Sequence, residues 1–231
     1  MDAGFWHNRW QANQTGWHES TVNPLLIAHF PSLNLPSGRR VFVPLCGKSL
    51  DLGWLLSQGY TVAGAELSEL AVTQLFAELG LKPHLFEIGK HTHFRAEKID
   101  IFVGDLFDLS HERLGPVDAI YDRAALVALP EATRVQYTAH LKALTVLAPQ
   151  LVIGYEYDQT MAPGPPFSVT PDELHHHYSD DYTLTPLARI DVPGGLKGKC
   201  PATEHIWRLD RRRSEQPHGL QIRQGNGTLL R

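Results

Sequence analysis

A short apolar run that stops at a glycine and is followed at a set distance by a lone acid constrains this chain more than any other feature. Residues 41–45 are fully apolar, as in a buried parallel strand. Cys46-Gly47-Lys48 interrupts the run, and Ser49 stands where a helix N-cap would, ahead of Leu50-Asp51-Leu52-Gly53-Trp54-Leu55-Leu56. A second apolar run, 60–65, ends at Glu66, nineteen residues after Gly47, and Ser68 is placed to cap the next helix. Doubly wound α/β sheets grip a ribose with this order of strand, glycine turn, helix, strand and acid. The glycine lets main chain approach the ligand, and the acid accepts from both ribose hydroxyls. A ribose-bearing ligand is therefore expected.

Three ligands compete for such a turn. Gly47-Lys48-Ser49 looks like the end of a triphosphate-binding loop, but that loop needs a glycine five positions before Gly47, and Phe42 stands there. A dinucleotide site wants three closely spaced glycines so that a pyrophosphate can sit on a helix N-terminus. This turn has one, followed by Lys48 and Ser49. S-adenosylmethionine has no phosphate and needs a single close approach of main chain. It fits the segment better, with the dinucleotide still open at this point.

Composition narrows the setting. The chain has 231 residues, 42% hydrophobic and 20% charged, enough for one well-packed α/β domain. A net charge of −4 gives no expectation of a broad basic surface for nucleic acid. The first residues lack a basic segment before an apolar core, and no run approaches the length of a membrane span, so neither secretion nor a membrane partner is expected. The cysteines, Cys46 and Cys200, are far apart in sequence and fit a reducing compartment better than a disulfide framework. A cytoplasmic location follows as the expectation.

Strands and helices continue to alternate along the chain. Residues 70–79 have helical periodicity and stop at Gly80; 99–103 and 117–121 read as the third and fourth strands; 131–147 is an amphipathic helix; and 151–157 is a fifth strand. Residues 87–95 are polar and contain Gly89, which points to a surface excursion or hairpin. The proline-rich stretch 163–167 reads as a stiff loop, and Thr170-Pro171 opens a short helix. Runs 184–192 and 205–210 suit an antiparallel edge. The polar, aperiodic residues from Ser214 onward read as a disordered tail.

Parallel sheets place ligands at the C-terminal ends of their strands. The groups there are Leu45-Cys46-Gly47, Glu66, Asp105-Leu106, Asp122-Arg123 and the loop after Tyr157. Asp105 can accept from an adenine amine and the Leu106 N–H can donate to a ring nitrogen; the plain alternative for Asp105 is a turn residue after Gly104. Three of the five tryptophans, Trp6, Trp10 and Trp17, precede the first core strand. A packed aromatic helix would explain them. A lid over the crevice would also give a sulfonium cation an indole face, an attraction of about 0.5–2 kcal/mol.

Taken together, Trp10-Gln11, Trp17-His18, Val43-Pro44-Leu45-Cys46-Gly47-Lys48-Ser49, Glu66-Leu67-Ser68, Asp122-Arg123-Ala124-Ala125-Leu126-Val127-Ala128 and Pro163-Gly164-Pro165-Pro166-Phe167 resemble the thiopurine S-methyltransferase family in its bacterial form. The resemblance runs from about Phe5 to Asp210. It implies a class I methyltransferase, Rossmann-like fold: a doubly wound, mostly parallel seven-stranded sheet with helices on both faces and an N-terminal aromatic helical lid. It further implies a single domain over residues 1–213, with the lid segment at 1–30 and the tail at 214–231 outside the match. By that similarity S-adenosyl-L-methionine is the cofactor, contacted by Trp10, Leu45, Gly47, Glu66, Leu67 and Arg123, with Asp105 and Leu106 at the adenine. Trp17 would stand beside a small-molecule thiol acceptor, and selenium or tellurium acceptors would be allowed. A monomer with no metal is expected.

The chemistry suits so sparse a site. Thiolates are the nucleophiles, and an ordinary thiol with a pKa near roughly 8.5 is already partly ionised at neutral pH, aromatic thiols more so. Transfer then needs in-line placement and exclusion of water rather than a general base. Arg123 is the catalytic candidate, a fixed charge able to steady an anionic acceptor; a salt bridge to Asp122 or Glu66 is its structural alternative. His175-His176-His177 points in different directions around one helix and suits a solvated face better than a metal. Cys46 suits a small buried position beside the turn. A dinucleotide-dependent oxidoreductase and a non-catalytic nucleoside-binding protein are the rival classes. Calorimetry with S-adenosylmethionine against NAD separates the first, and methyl transfer to an aromatic thiol the second.

Overall fold

The computed structural model describes residues 3–212, so the tail from Ser214 lies outside the described residues. The strands are β1 (Arg40–Pro44), β2 (Thr61–Glu66), β3 (His84–Ile88), β4 (His91–Ala96), β5 (Ile99–Val103), β6 (Ala119–Arg123), β7 (Gln150–Tyr157), β8 (Tyr182–Asp191) and β9 (Ala202–Arg211). The helices are α1 (Ala3–Gln11), α2 (Pro24–His29), α3 (Leu50–Ser57), α4 (Glu69–Glu78), α5 (His111–Leu114), α6 (Glu131–Thr145) and α7 (Pro171–Tyr178). No helix of the described residues is long and apolar enough to cross a membrane.

One sheet runs in the order β3-β4-β5-β2-β1-β6-β7-β9-β8. The five central strands, β5-β2-β1-β6-β7, are parallel, and an antiparallel pair closes each edge. The seven strands expected from the sequence are all present, and the two additional ones are β3 and β4. Residues 84–96 are a hairpin paired through β4 to β5, rather than an excursion detached from the sheet. Their pattern hid this because β3 is an edge strand whose Leu85 and Phe86 are more than half exposed. The β8–β9 pair forms the expected antiparallel edge.

Successive side chains of a strand point to opposite faces, and each face has its own core. Phe42, Ala63, Phe102, Ile120 and Val152 pack with α5, α6 and α7, while Val41, Val62, Ile101, Tyr121 and Leu151 pack with α2, α3 and α4. Helix starts follow the local signals. The Ser49 hydroxyl accepts from Asp51 N, the Ser68 hydroxyl from Ala71 N and the Thr170 hydroxyl from Glu173 N.

The N-terminal thirty residues divide in two. Helix α1 and the turn through Glu19 lie at the strand ends. By contrast α2, capped by Asn23, is built into the core through Leu25 and Leu26, and Phe30 directly after it packs there as well. The histidine run divides as well. His175 and His176 are exposed as expected, but His177 is buried with its Nε2 3.2 Å from the Glu173 carboxylate, which also pairs with Arg134. No group of side chains suited to a metal ion occurs among the described residues.

Candidate active site

Chain direction across the sheet reverses between β1 and β6: from β1 the order runs to β2 and β5 on one side, and to β6 and β7 on the other. A crevice opens at such a switch point, and here it holds a cavity of about 440 Å³. Trp10, Trp17, Leu45, Gly47, Glu66, Leu67, Asp105, Leu106 and Arg123, the residues singled out from the sequence, all line it.

Glu66 anchors this arrangement. It ends β2, is 6% exposed, and each carboxylate oxygen accepts from main chain: Oε2 from Gly47 N and Oε1 from Ser68 N, both at 2.8 Å. Burial pushes its carboxyl pKa up, while the N–H groups of Ser68, Gly47 and Leu67 pull it down. A carboxylate has about four lone-pair positions, so these bonds fix the group and leave acceptor capacity towards the cavity.

The turn after β1 needs unusual backbone. Leu45 has φ +47° and Gly47 φ +53°. A Cβ on Gly47 would meet Cζ2 of Trp10 at 3.1 Å, so the glycine supplies both the conformation and the room for the indole ring. Cys46 between them is buried, and burial beside Glu66 holds its thiol well above the usual range, which fits a packing role. Lys48 turns away from the cavity's acid to Glu78 at 2.6 Å.

After β5, Asp105 caps a single helical turn by accepting from Phe107 N at 3.0 Å, and its carboxylate is otherwise exposed. The turn role and a place on the cavity wall coincide. Two histidines steady this segment, with His91 Nε2 donating to the Asp105 carbonyl and His140 Nε2 to the Leu106 carbonyl, each at 2.9 Å.

Three tryptophans roof the cavity. Trp17 meets Trp6 and Trp10 edge-on, with ring centroids 5.3 and 5.7 Å apart, and Trp10 is 6% exposed. Arg123, at the end of β6, reaches this roof. Its Nη1 donates to the Trp17 carbonyl at 3.0 Å and its Nη2 to the Glu19 carboxylate. Neither partner expected from the sequence holds it. Glu66 is engaged by main chain, and Asp122, one residue before Arg123, points into the opposite core. There its oxygens accept from Tyr137 Oη at 2.7 Å and Leu126 N at 3.1 Å, and burial pushes its carboxyl up to about 6.

Several lining residues carried no chemical signal in the sequence. Asp51 reads as a favourable first-turn acid; it is buried, accepting from Asn23 N and from Tyr121 Oη. Tyr155 lines the cavity, and burial with the nearby Glu204 carboxylate pushes its hydroxyl upward. Leu196 and Lys197 arrive from the β8–β9 connection, where Lys197 Nζ donates to the Pro165 carbonyl at 2.8 Å. Long-range folding brings these groups in, and no local spacing announces them.

Comparison with known proteins agrees with this geometry. A family model described as thiopurine S-methyltransferase (TPMT) matches residues 1–211. A thiopurine S-methyltransferase of Xanthobacter autotrophicus is 54% identical over 212 residues, covering 91% of this chain and 100% of the relative. One from Teredinibacter turnerae is 50% identical over 211 residues, covering 91% and 98%. Among solved structures, the Burkholderia thailandensis 1,6-didemethyltoxoflavin-N1-methyltransferase, with bound 1,6-didemethyltoxoflavin and S-adenosylhomocysteine, aligns at TM-score 0.61 and 17% identity over 90% of this chain and 86% of that one. At that identity the likeness speaks for the fold.

Proposed function

The chain belongs to the thiopurine S-methyltransferase family, and from that premise we propose that it transfers the methyl group of S-adenosylmethionine to the sulfur of an aromatic or heterocyclic thiol. The observation that carries this is Glu66: a buried carboxylate at the switch point, fixed by two main-chain donors, with acceptor capacity facing a cavity under tryptophan rings. The residues fit the donor. Glu66 would hold the ribose hydroxyls, the Leu45–Gly47 main chain the methionine portion, and Asp105 with Leu106 the adenine. Trp10 would cover the cation with a π face.

Bound there, S-adenosylmethionine supplies a methyl group made electrophilic by its sulfonium. The chain's own part is to orient and to exclude water. Trp6, Trp10 and Trp17 close the cavity on one side, and Leu106, Val127 and Leu196 supply apolar wall. Glu66, fixed by Gly47 N and Ser68 N, keeps its remaining acceptor capacity for the ribose, and Asp122 points into the opposite core, so neither is offered to the acceptor as a general base. Aromatic thiols arrive ionised at neutral pH and need no such base, and Arg123 would steady the thiolate through donors left over from Trp17 and Glu19. Selenolates present the same soft anionic centre and fall within the same chemistry. Buried cysteines without a disulfide, Cys46 and Cys200, support a reducing, cytoplasmic setting.

The test is labelled methyl transfer to a thiopurine and to thiophenol, with binding of S-adenosylmethionine and NAD compared by calorimetry. Preference for NAD, or binding of S-adenosylmethionine without turnover of any thiol, would reject the proposal. For Arg123, kcat/KM against pH separates its roles. The lysine variant should keep partial activity and Arg123→Ala lose most of it, chiefly where the acceptor is anionic. If both variants match the parent across that range, Arg123 has no part in acceptor binding.

A further inference from the structure

Two histidines from different elements grip the turn that follows β5, and neither lines the cavity. His91, the first residue of β4, is fully buried, and its Nε2 donates to the Asp105 carbonyl at 2.9 Å. Its Nδ1 has no hydrogen-bond partner among the described residues, so that carbonyl is the ring's one such engagement. His140, from α6, donates through Nε2 to the Leu106 carbonyl at 2.9 Å and rests beside the Phe107 ring. Each carbonyl takes a second donor from within the turn, Asp108 N at 3.0 Å and Leu109 N at 3.1 Å, which engages both lone pairs of each oxygen. The hairpin is fitted to this contact. Gly104 has φ +151°, and a Cβ there would stand 2.7 Å from His91 Cδ2. Lys90, next to His91, pairs with Asp108 at 2.8 Å.

Fixing a carbonyl also fixes the N–H at the other end of the same peptide unit, because the unit is planar and in the trans form the two groups point in opposite directions. Both peptide bonds concerned are trans. The Asp105 carbonyl shares its plane with the Leu106 N–H. The Leu106 carbonyl shares its plane with the Phe107 N–H, which donates to the Asp105 carboxylate at 3.0 Å. A donor on the carbonyl further polarises the amide and strengthens its N–H. We infer that His91 and His140 are positioning residues for the base of the cofactor: His91 aims the Leu106 N–H, and His140, through the Phe107 N–H, aims the Asp105 carboxylate. The inference rests on the adenine placement proposed above. It gives the β3–β4 hairpin a part in ligand binding, since the hairpin delivers the imidazole that sets the first of these planes.

The test is calorimetric binding of S-adenosylhomocysteine and S-inosylhomocysteine to the parent, His91→Leu, His140→Leu and His91→Gln. In the inosine analogue an oxo group replaces the amine and N1 carries a hydrogen, so a well-aimed N–H or carboxylate gives it no advantage. The parent should favour the adenine base about tenfold or more. Each leucine variant should weaken S-adenosylhomocysteine about three- to tenfold and leave the analogue within about twofold, which narrows the preference accordingly. His91→Gln, whose amide N–H can reach the same carbonyl, should recover part of it. Residues that merely support the fold would weaken both ligands together. That result, or the parental preference in either leucine variant, overturns the inference and leaves the adenine placement standing. If His91→Leu does not fold, the partly exposed His140→Leu decides by the same ratio. A parent with no preference between the two bases removes the adenine placement and this inference with it, while methyl transfer stands. A parent that binds neither ligand removes the proposed function as well.

Discussion

Replacing Glu66 tests the centre of the site. Its two oxygens hold Gly47 N and Ser68 N at 2.8 Å, and the group is 6% exposed. Glu66→Ala removes the acceptor proposed for both ribose hydroxyls. Hydrogen bonds to a charged group contribute about 1.5–3 kcal/mol each. Water entering the vacated space re-satisfies part of the loss, so the net cost should be near that of one such bond. That corresponds to roughly a 10- to 150-fold rise in Kd for S-adenosylmethionine. Stability changes less than the contacts suggest. Two buried N–H groups are orphaned, at about 1–3 kcal/mol each, but a carboxylate whose charged form is penalised by burial is removed with them. The variant should therefore melt cooperatively a few degrees lower. Glu66→Gln should fall between, because its amide can accept from only one of the two main-chain donors. Calorimetric titration with S-adenosylmethionine, beside a melt by circular dichroism, separates the two effects. A cooperatively folded Glu66→Ala that binds with the parent's Kd would refute the assignment of the ribose to this carboxylate.

Gly47→Ala forces a side chain into left-handed backbone and against Trp10 at 3.1 Å; if the resulting shift of about 1–3 kcal/mol falls on the bound state, S-adenosylmethionine binding should weaken about 5- to 150-fold, and parental affinity would show that the close approach is not used. Asp122 has a folded pKa of about 6 against 3.8, a raised value, so its contribution to stability is present below 3.8 and is lost as pH rises to about 6. Asp122→Asn should gain on the parent by up to about 3 kcal/mol across that window, and an offset between the two melting curves that does not change with pH would contradict it. Residues 3–19 should show slower amide exchange once S-adenosylhomocysteine is added; equal protection with and without it would make this segment fixed structure rather than a lid.

Local signals were legible wherever the chemistry was local. Ser49, Ser68 and Thr170 cap helices as their positions announce, and Gly47 and Glu66 meet because a strand–turn–helix–strand unit has one way to close. What stayed hidden depends on partners distant in sequence. His91 is fully buried because Gly104 passes over its ring, with a Cβ there only 2.7 Å from His91 Cδ2; nothing in the polar stretch around His91 discloses that. Strand β3 carries its apolar residues outward on an open edge, so alternation gave no guide. Glu19 follows two aromatic residues in an irregular turn. Its pairing with Arg123 spans 104 positions, which no motif spacing encodes.

The two sides of the crevice share a device that explains why so few side chains are needed. Leu45 follows β1 with φ +47°, and Ala124 follows β6 with φ +61°; neither is glycine. Left-handed backbone costs an L-residue roughly 1–2 kcal/mol, and glycine would avoid it. At both positions the chain keeps a side chain, and Leu45 packs against the core cluster beneath the cavity. The strain is held by the sheet register on either side, β1 on β2 and β6 on β7. Turning the chain sharply at both strand ends brings main-chain N–H of Gly47 to Glu66 on one side and the Arg123 guanidinium to the tryptophan roof on the other. Two rigid walls then face each other across the switch point. Glu66 on one wall and Arg123 on the other are each held in place by partners from other segments, which suits the proposed transfer, where alignment matters more than proton movement.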